Sequence, residues 1–287
     1  MGEAAKKRAA RSHEFQSIDR LLRDDGIDTS LIEFYNQTSF LEKEKTDPRY
    51  ARHLSRWLSR RPMSDSYQGR VSRVVPVVAE RVANLFGESD MVASCVNGSF
   101  MLSKVLERAG IWNHVLHGSV VLEVASRGIW RGFQTVDAED FPGAVRGHAW
   151  VFAPPFHVVD VTIAKQRWDS EERPFVPAHI ISSFTSRLEV QLNDVVASRL
   201  FPTFETHPYW GQRRIIYDLV PGLREMEGDV APMGVTVDEA KLRYIPVSTI
   251  IPEEPLELAN STPGCTGPTG EELWKDCADL VQRFSES

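Results

Sequence analysis

The sequence predicts an α+β fold, on three observations. Apolar residues recur at helical spacing through most of the stretch before Gly110. After Gly110 the pattern changes to runs rich in β-branched residues, broken by Gly and Pro. Residues 271–284 then return to helical spacing. The chain of 287 residues is long enough for one large core, or for a core with an added lobe.

Residues 1–12 read as a basic tail. Phe15, Ile18, Leu21 and Leu22 share a helical face, and Gly26 stops that helix. A second helical stretch covers about residues 29–44 and carries Leu31, Ile32, Phe34, Tyr35, Phe40 and Leu41. Asp47-Pro48 is a start signal, a capping Asp before Pro at the first helical position, and the helix runs to Arg61. Arg49, Arg52, Arg56 and Arg60 share a face of it, while Tyr50, Leu54, Trp57 and Leu58 anchor it to a core. Residues 63–70 are turn-rich, and Pro76 to Phe86 reads as a helix ended by Gly87.

Ser94 is a good N-cap for a helix whose first residue is Cys95. Val96, Phe100, Met101, Leu102, Val105, Leu106 and Ala109 bury most of its surface, and Gly110 closes it. Strands follow at Val115–Val124, His148–Phe152 and His157–Thr162, with a loop or hairpin over 125–146 and a turn at Pro154-Pro155. Further strands are expected at 180–184, 188–192, 214–220 and 241–251. Residues 252–269 form a Pro-rich surface loop. In the last helix, Leu273, Trp274, Cys277, Leu280 and Val281 point inward.

Composition excludes several classes. A net charge of −7 argues against bulk nucleic-acid binding. The three cysteines, Cys95, Cys265 and Cys277, are too few for a disulfide framework and point to a reducing compartment. The charged N-terminus has no apolar run behind it, and no segment reaches the length of a membrane span. The expectation is a cytoplasmic protein with no membrane partner. Asn97-Gly98-Ser99 fits a glycosylation sequon, which means nothing without secretion.

The chemistry centres on Cys95. A thiol at a helix N-terminus meets unpaired N–H groups and the positive end of the helix dipole, and both favour the thiolate. Such a nucleophile needs a base, and the base needs a group that fixes its tautomer. A hairpin about Pro154-Pro155 places His148 and Asp160 side by side. The cysteine helix then has only to pack across that sheet for Cys95 to meet His148.

A cysteine opening a buried helix, then Gly110-Ile111 and a strand, then Gly-His-Ala-Trp-Val at 147–151 and Val-Val-Asp-Val-Thr at 158–162, is similar to a known pattern. It resembles the transglutaminase-like branch of the papain-like cysteine enzymes. That group includes transglutaminases, bacterial transglutaminase-like cysteine proteases, peptide N-glycanases and leader peptidases of lasso-peptide pathways. The resemblance covers about residues 90–165. It implies Cys95 as nucleophile, His148 as base and Asp160 as orienter, with no cofactor. Trp150 and Asn97 are the substrate-contact candidates, Trp150 chiefly as a residue that shields the site. The expected division is a helical N-terminal region over 1–88, a transglutaminase-like core and sheet over 89–251, and a Pro/Gly-rich loop with a C-terminal helix over 252–287. The stretches outside about 90–165 match no pattern.

Two features leave that pattern incomplete. No side-chain donor stands just upstream of Cys95, so the oxyanion hole rests on the Cys95 backbone N–H and a further donor. Arylamine N-acetyltransferases share the core, but their Arg-Gly-Gly is replaced here by Val92-Ala93-Ser94. The expected chemistry is attack on an amide or peptide carbonyl, with the acyl group passed to water or to an amine.

The alternative is a non-catalytic binder that offers the Arg49, Arg52, Arg56 and Arg60 face to an acidic partner. Zinc held by Cys95, His148 and Asp160 is chemically possible, but no dense ligand spacing supports a metal. His114, His117 and the His207–Trp210 cluster read as polar or packing residues, and Cys265 and Cys277 as structural.

Overall fold

The computed structural model describes residues 2–88, 95–137, 146–259 and 267–286. The chain opens with α1 (Glu3–Asp24), α2 (Thr38–Thr46), α3 (Arg52–Arg60), α4 (Asp65–Gly87) and α5 (Cys95–Arg108). Strands β1 (His114–Val124), β2 (Ile129–Phe133), β3 (His148–Ala153), β4 (Phe156–Asp160), β5 (Ile180–Ser182) and β6 (Ser186–Arg187) follow. Short helices α6 (Leu192–Val195), α7 (Phe201–Phe204), α8 (Arg214–Leu219) and α9 (Pro221–Met226) lead to β7 (Met233–Val237), β8 (Ala240–Ile250) and α10 (Gly270–Glu286). The fold is α+β, as the sequence predicts.

Among the described residues the strands form one antiparallel sheet, ordered β5-β4-β3-β1-β8-β7-β6, with β2 also on β1. The long strand β1 organises it. Its first half pairs with β3 and its second half with β2, while β8 runs along the other edge. Both faces are covered, so β3 is buried at every position. Its side chains alternate between two cores, as a pleated strand requires. Trp150 and Phe152 face a core shared with Ile18, Leu22, Leu54 and Trp57 of the N-terminal helices. Ala149, Val151 and Ala153 face a core built from α4, α5 and α10.

Several elements differ from the sequence expectation, each for a physical reason. Residues 63–70, expected as turn, enter α4 at Asp65, because the Ser64 side chain accepts a hydrogen bond from the Tyr67 N–H and caps the helix. Pro76 then sits inside α4 rather than at its start. An interior proline costs about 3 kcal/mol. Val71, Val74, Val75 and Val78 are fully buried on either side of it, and each contributes roughly 1.5–3 kcal/mol, so packing wins.

Residues 214–220, expected as a strand, instead hold α8 (Arg214–Leu219), which buries Ile215 and Ile216 in a satellite core. The outer edge of β8 is taken by β7, a strand the sequence does not predict. The expected strand at 188–192 is also absent, with α6 beginning at Leu192. The helix expected over about 29–44 is a 3₁₀ turn at Phe34–Asn36 followed by α2.

The arginine stripe is engaged inside the chain. Asp229, almost fully buried, receives Arg52 at 2.5 Å, Arg60 at 3.5 Å and Arg56 at 4.0 Å. Arg52 also lies 3.6 Å from Glu225, Arg60 lies 2.5 Å from Glu14, and Arg49 pairs with Asp47 at 2.9 Å. These acidic neighbours lie far away in sequence for the most part, which is why the stripe reads as free positive charge there. No helix of the described residues is long and apolar enough to cross a membrane.

Candidate active site

Three elements bring Cys95, His148 and Asp160 to one place. Cys95 is the first residue of α5, His148 the first of β3, and Asp160 the last of β4. Because β3 and β4 are antiparallel and pair Val151 with Val159, the start of one lies beside the end of the other. His148 and Asp160 are diagonal neighbours on one sheet face, close enough for side chains to meet. His148 Nε2 and Asp160 Oδ2 are 2.6 Å apart, and both side chains are fully buried.

Gly147 delivers His148 to that position. It has φ of +90°, and a Cβ there would lie 2.4 Å from the Gly118 carbonyl oxygen. Only glycine fits both the backbone conformation and the space.

Two features of the first turn of α5 dock Cys95 against the hairpin. The Ser99 hydroxyl donates to the Ala149 carbonyl at 3.0 Å. Gly98 lies against Thr162 so closely that a Cβ would come within 2.4 Å of Thr162 Cγ2. This places Cys95 where the charge of His148 and the Ala149 backbone N–H act on its thiol. Burial pushes its thiol pKa up, but the hydrogen bond and charge of His148, with the Ala149 N–H, outweigh burial and bring it below the ordinary value. Burial pushes His148 down. The Asp160 charge and hydrogen bond, then Cys95, more than reverse this and raise it well above the ordinary histidine range.

The two shifts run in opposite directions, the sense that favours a thiolate beside an imidazolium. His148 Nδ1 is buried and has no hydrogen-bond partner among the described residues. With Nε2 committed to Asp160, Nδ1 is the ring nitrogen left to serve the sulfur. Catalytic hydrogen bonds commonly tighten only when substrate binds. Cys277 is a contrast: it is buried in the α4–α10 core, where burial pushes its thiol up to about 11.

Asp160 is saturated with donors. Oδ1 accepts from the Thr162 backbone N–H at 3.0 Å and the Thr162 hydroxyl at 3.3 Å. Oδ2 accepts from the Tyr244 hydroxyl at 2.9 Å as well as from His148. Tyr244 comes from β8, and nothing local in the sequence marks it. Thr162 belongs to the Asp-x-Thr motif. Gly98 carried a usable signal, since glycine inside a helix costs about 1 kcal/mol against alanine and calls for a packing reason.

The other sequence candidates fall as follows. Trp150 is fully buried, its ring stacked with that of His148 at 6.4 Å and edge-on to Tyr244 at 5.1 Å. It therefore backs the imidazole from the core side and is closed to substrate in this conformation. Asn97 is exposed, two residues on from Cys95 and about 200° around the helix from it. Ser94, read as the N-cap, and Cys265 lie outside the described residues. His114 is fully buried, with Nε2 2.5 Å from the Ser55 hydroxyl, and His117 Nε2 lies 2.6 Å from the Arg146 carbonyl. In the His207–Trp210 turn, Trp210 packs on Phe201 and Arg214 covers Tyr209. Among the described residues no group of three or more His, Cys, Asp or Glu is arranged to hold a metal ion.

Comparison with family models, curated proteins and solved structures returns no match for this chain.

Proposed function

We propose that the protein is a cysteine hydrolase or acyltransferase of the transglutaminase-like type, acting on amide or peptide bonds through a Cys95–His148–Asp160 triad. One observation carries this reading: Cys95 opens a buried helix that docks on the strand bearing His148, whose ring Nε2 lies 2.6 Å from the buried Asp160 carboxylate. The papain-like assignment of the core rests on the same arrangement, together with the motifs at 147–151 and 158–162.

In the proposed cycle the Cys95 thiolate attacks the carbonyl carbon and forms a C–S bond. The oxyanion that develops lies near the Cys95 backbone N–H at the start of α5. The C–N bond breaks as the His148 imidazolium gives its proton to the leaving nitrogen. Water or an amine then attacks the thioester. His148 takes its proton, and the C–S bond breaks to restore the thiolate. Asp160 keeps the imidazole in the tautomer whose Nδ1 serves sulfur. The chemistry requires a reduced thiol, which agrees with a cytoplasmic location.

Intact-mass analysis after incubation with a peptide and carboxamide library tests this reading. The expected result is a covalent acyl adduct on Cys95 that is absent from Cys95→Ala. Turnover retained by Cys95→Ala would overturn it.

A further inference from the structure

We propose that Tyr244 is a positioning residue of this site, its hydroxyl and the His148 ring sharing one carboxylate oxygen of Asp160. The inference rests on the triad reading above and deepens it. Tyr244 sits on β8, two strands away from β3 across β1. It is fully buried, yet its hydroxyl reaches Asp160 Oδ2 at 2.9 Å, the same oxygen that lies 2.6 Å from His148 Nε2. Its ring also packs edge-on against Trp150, which stacks on the imidazole. Tyr244 therefore holds both the carboxylate and the aromatic backing of the base. A core residue filling the same space would need no oxygen.

The shared oxygen has an electrostatic consequence. The Tyr244 hydroxyl proton offsets part of the Asp160 charge that would otherwise act on His148. Burial and the Asp160 charge push the Tyr244 pKa far up, so it remains a donor throughout the working range. The other titratable groups around His148 among the described residues are Cys95 on α5, Asp160 on β4 and His117 on β1. His117 is shifted down by burial, an effect that the His148 charge reinforces. None of them compensates for loss of the tyrosine proton. Removing the hydroxyl alone leaves the carboxylate to act fully on the imidazolium, and His148 then releases its proton at higher pH.

Histidine NMR titration of the full chain tests this, with the His148 signal assigned by its loss in His148→Gln. Tyr244→Phe is expected to raise the His148 midpoint by about one pH unit. A ring-fluorinated tyrosine placed at position 244 is a stronger donor of the same shape and is expected to lower it. The second variant keeps the test decisive if Tyr244→Phe does not fold. A His148 midpoint unmoved by either change overturns the positioning role while leaving the triad intact. An ordinary His148 midpoint in the unaltered protein, indifferent to Cys95→Ala, overturns the triad reading itself.

Discussion

Replacing Asp160 with Asn is expected to reduce acylation of Cys95 by an activated ester by on the order of 10³–10⁴-fold, while the fold survives. Both Asp160 oxygens only accept hydrogen bonds, Oδ1 from the Thr162 backbone N–H and side chain, Oδ2 from His148 and Tyr244. An amide must turn one –NH₂ toward these donors. The Thr162 N–H cannot become an acceptor, so the amide oxygen goes there and the –NH₂ meets His148. The imidazole can meet it only with Nε2 unprotonated, which moves the proton to Nδ1. Nδ1 is the nitrogen that must take the thiol proton, so the base is blocked by its own tautomer. The imidazolium also loses the Asp160 charge that raises its pKa against burial. Rates measured by intact mass, with circular dichroism as the folding control, provide the check. A rate within about tenfold of the parent would show that Asp160 does not set the tautomer.

Replacing Gly98 with Ala is expected to separate activity from stability. The new Cβ would lie 2.4 Å from Thr162 Cγ2 and 3.7 Å from Phe86 Cζ, so α5 must withdraw from the end of β4. Overpacking costs about 1–3 kcal/mol, but alanine gains about 1 kcal/mol over glycine inside a helix. Net destabilisation by urea is therefore modest, about 0–2 kcal/mol. Cys95 is one turn away and moves with the helix. A misplacement near 1 Å costs on the order of 10²-fold in rate. Adding Thr162→Ser removes Cγ2 and keeps the hydroxyl on Asp160, and the double variant is expected to recover most of the acylation rate. Gly98→Ala acylating at the parent rate would show that this contact does not position the nucleophile.

The hairpin that joins base and orienter was legible because its cues are local. Pro154-Pro155 breaks the chain, the flanking runs are β-branched, and a two-strand register puts position 148 near 160. The cysteine helix was legible from its apolar spacing and its glycine stop. Tyr244 was not, because its partner lies 84 residues away in sequence and its role depends on β8 lying beside β1. The same limit hid Asp229 from any reading of the arginine stripe. Propensity misled where long-range packing prevailed: Pro76 is carried inside α4 by buried valines, and Ile215 and Ile216 are helical and buried in the satellite core.

The most direct test is a pH titration of thiolate ultraviolet absorbance, taken as the difference between the parent protein and Cys95→Ala. A Cys95 thiolate present well below the ordinary cysteine value of about 8.5 is the predicted result, with the midpoint rising above that value in His148→Gln, where burial acts without its counter-charge. A parent midpoint at or above the ordinary value, or one unchanged by His148→Gln, would contradict the proposed pairing of sulfur and imidazole.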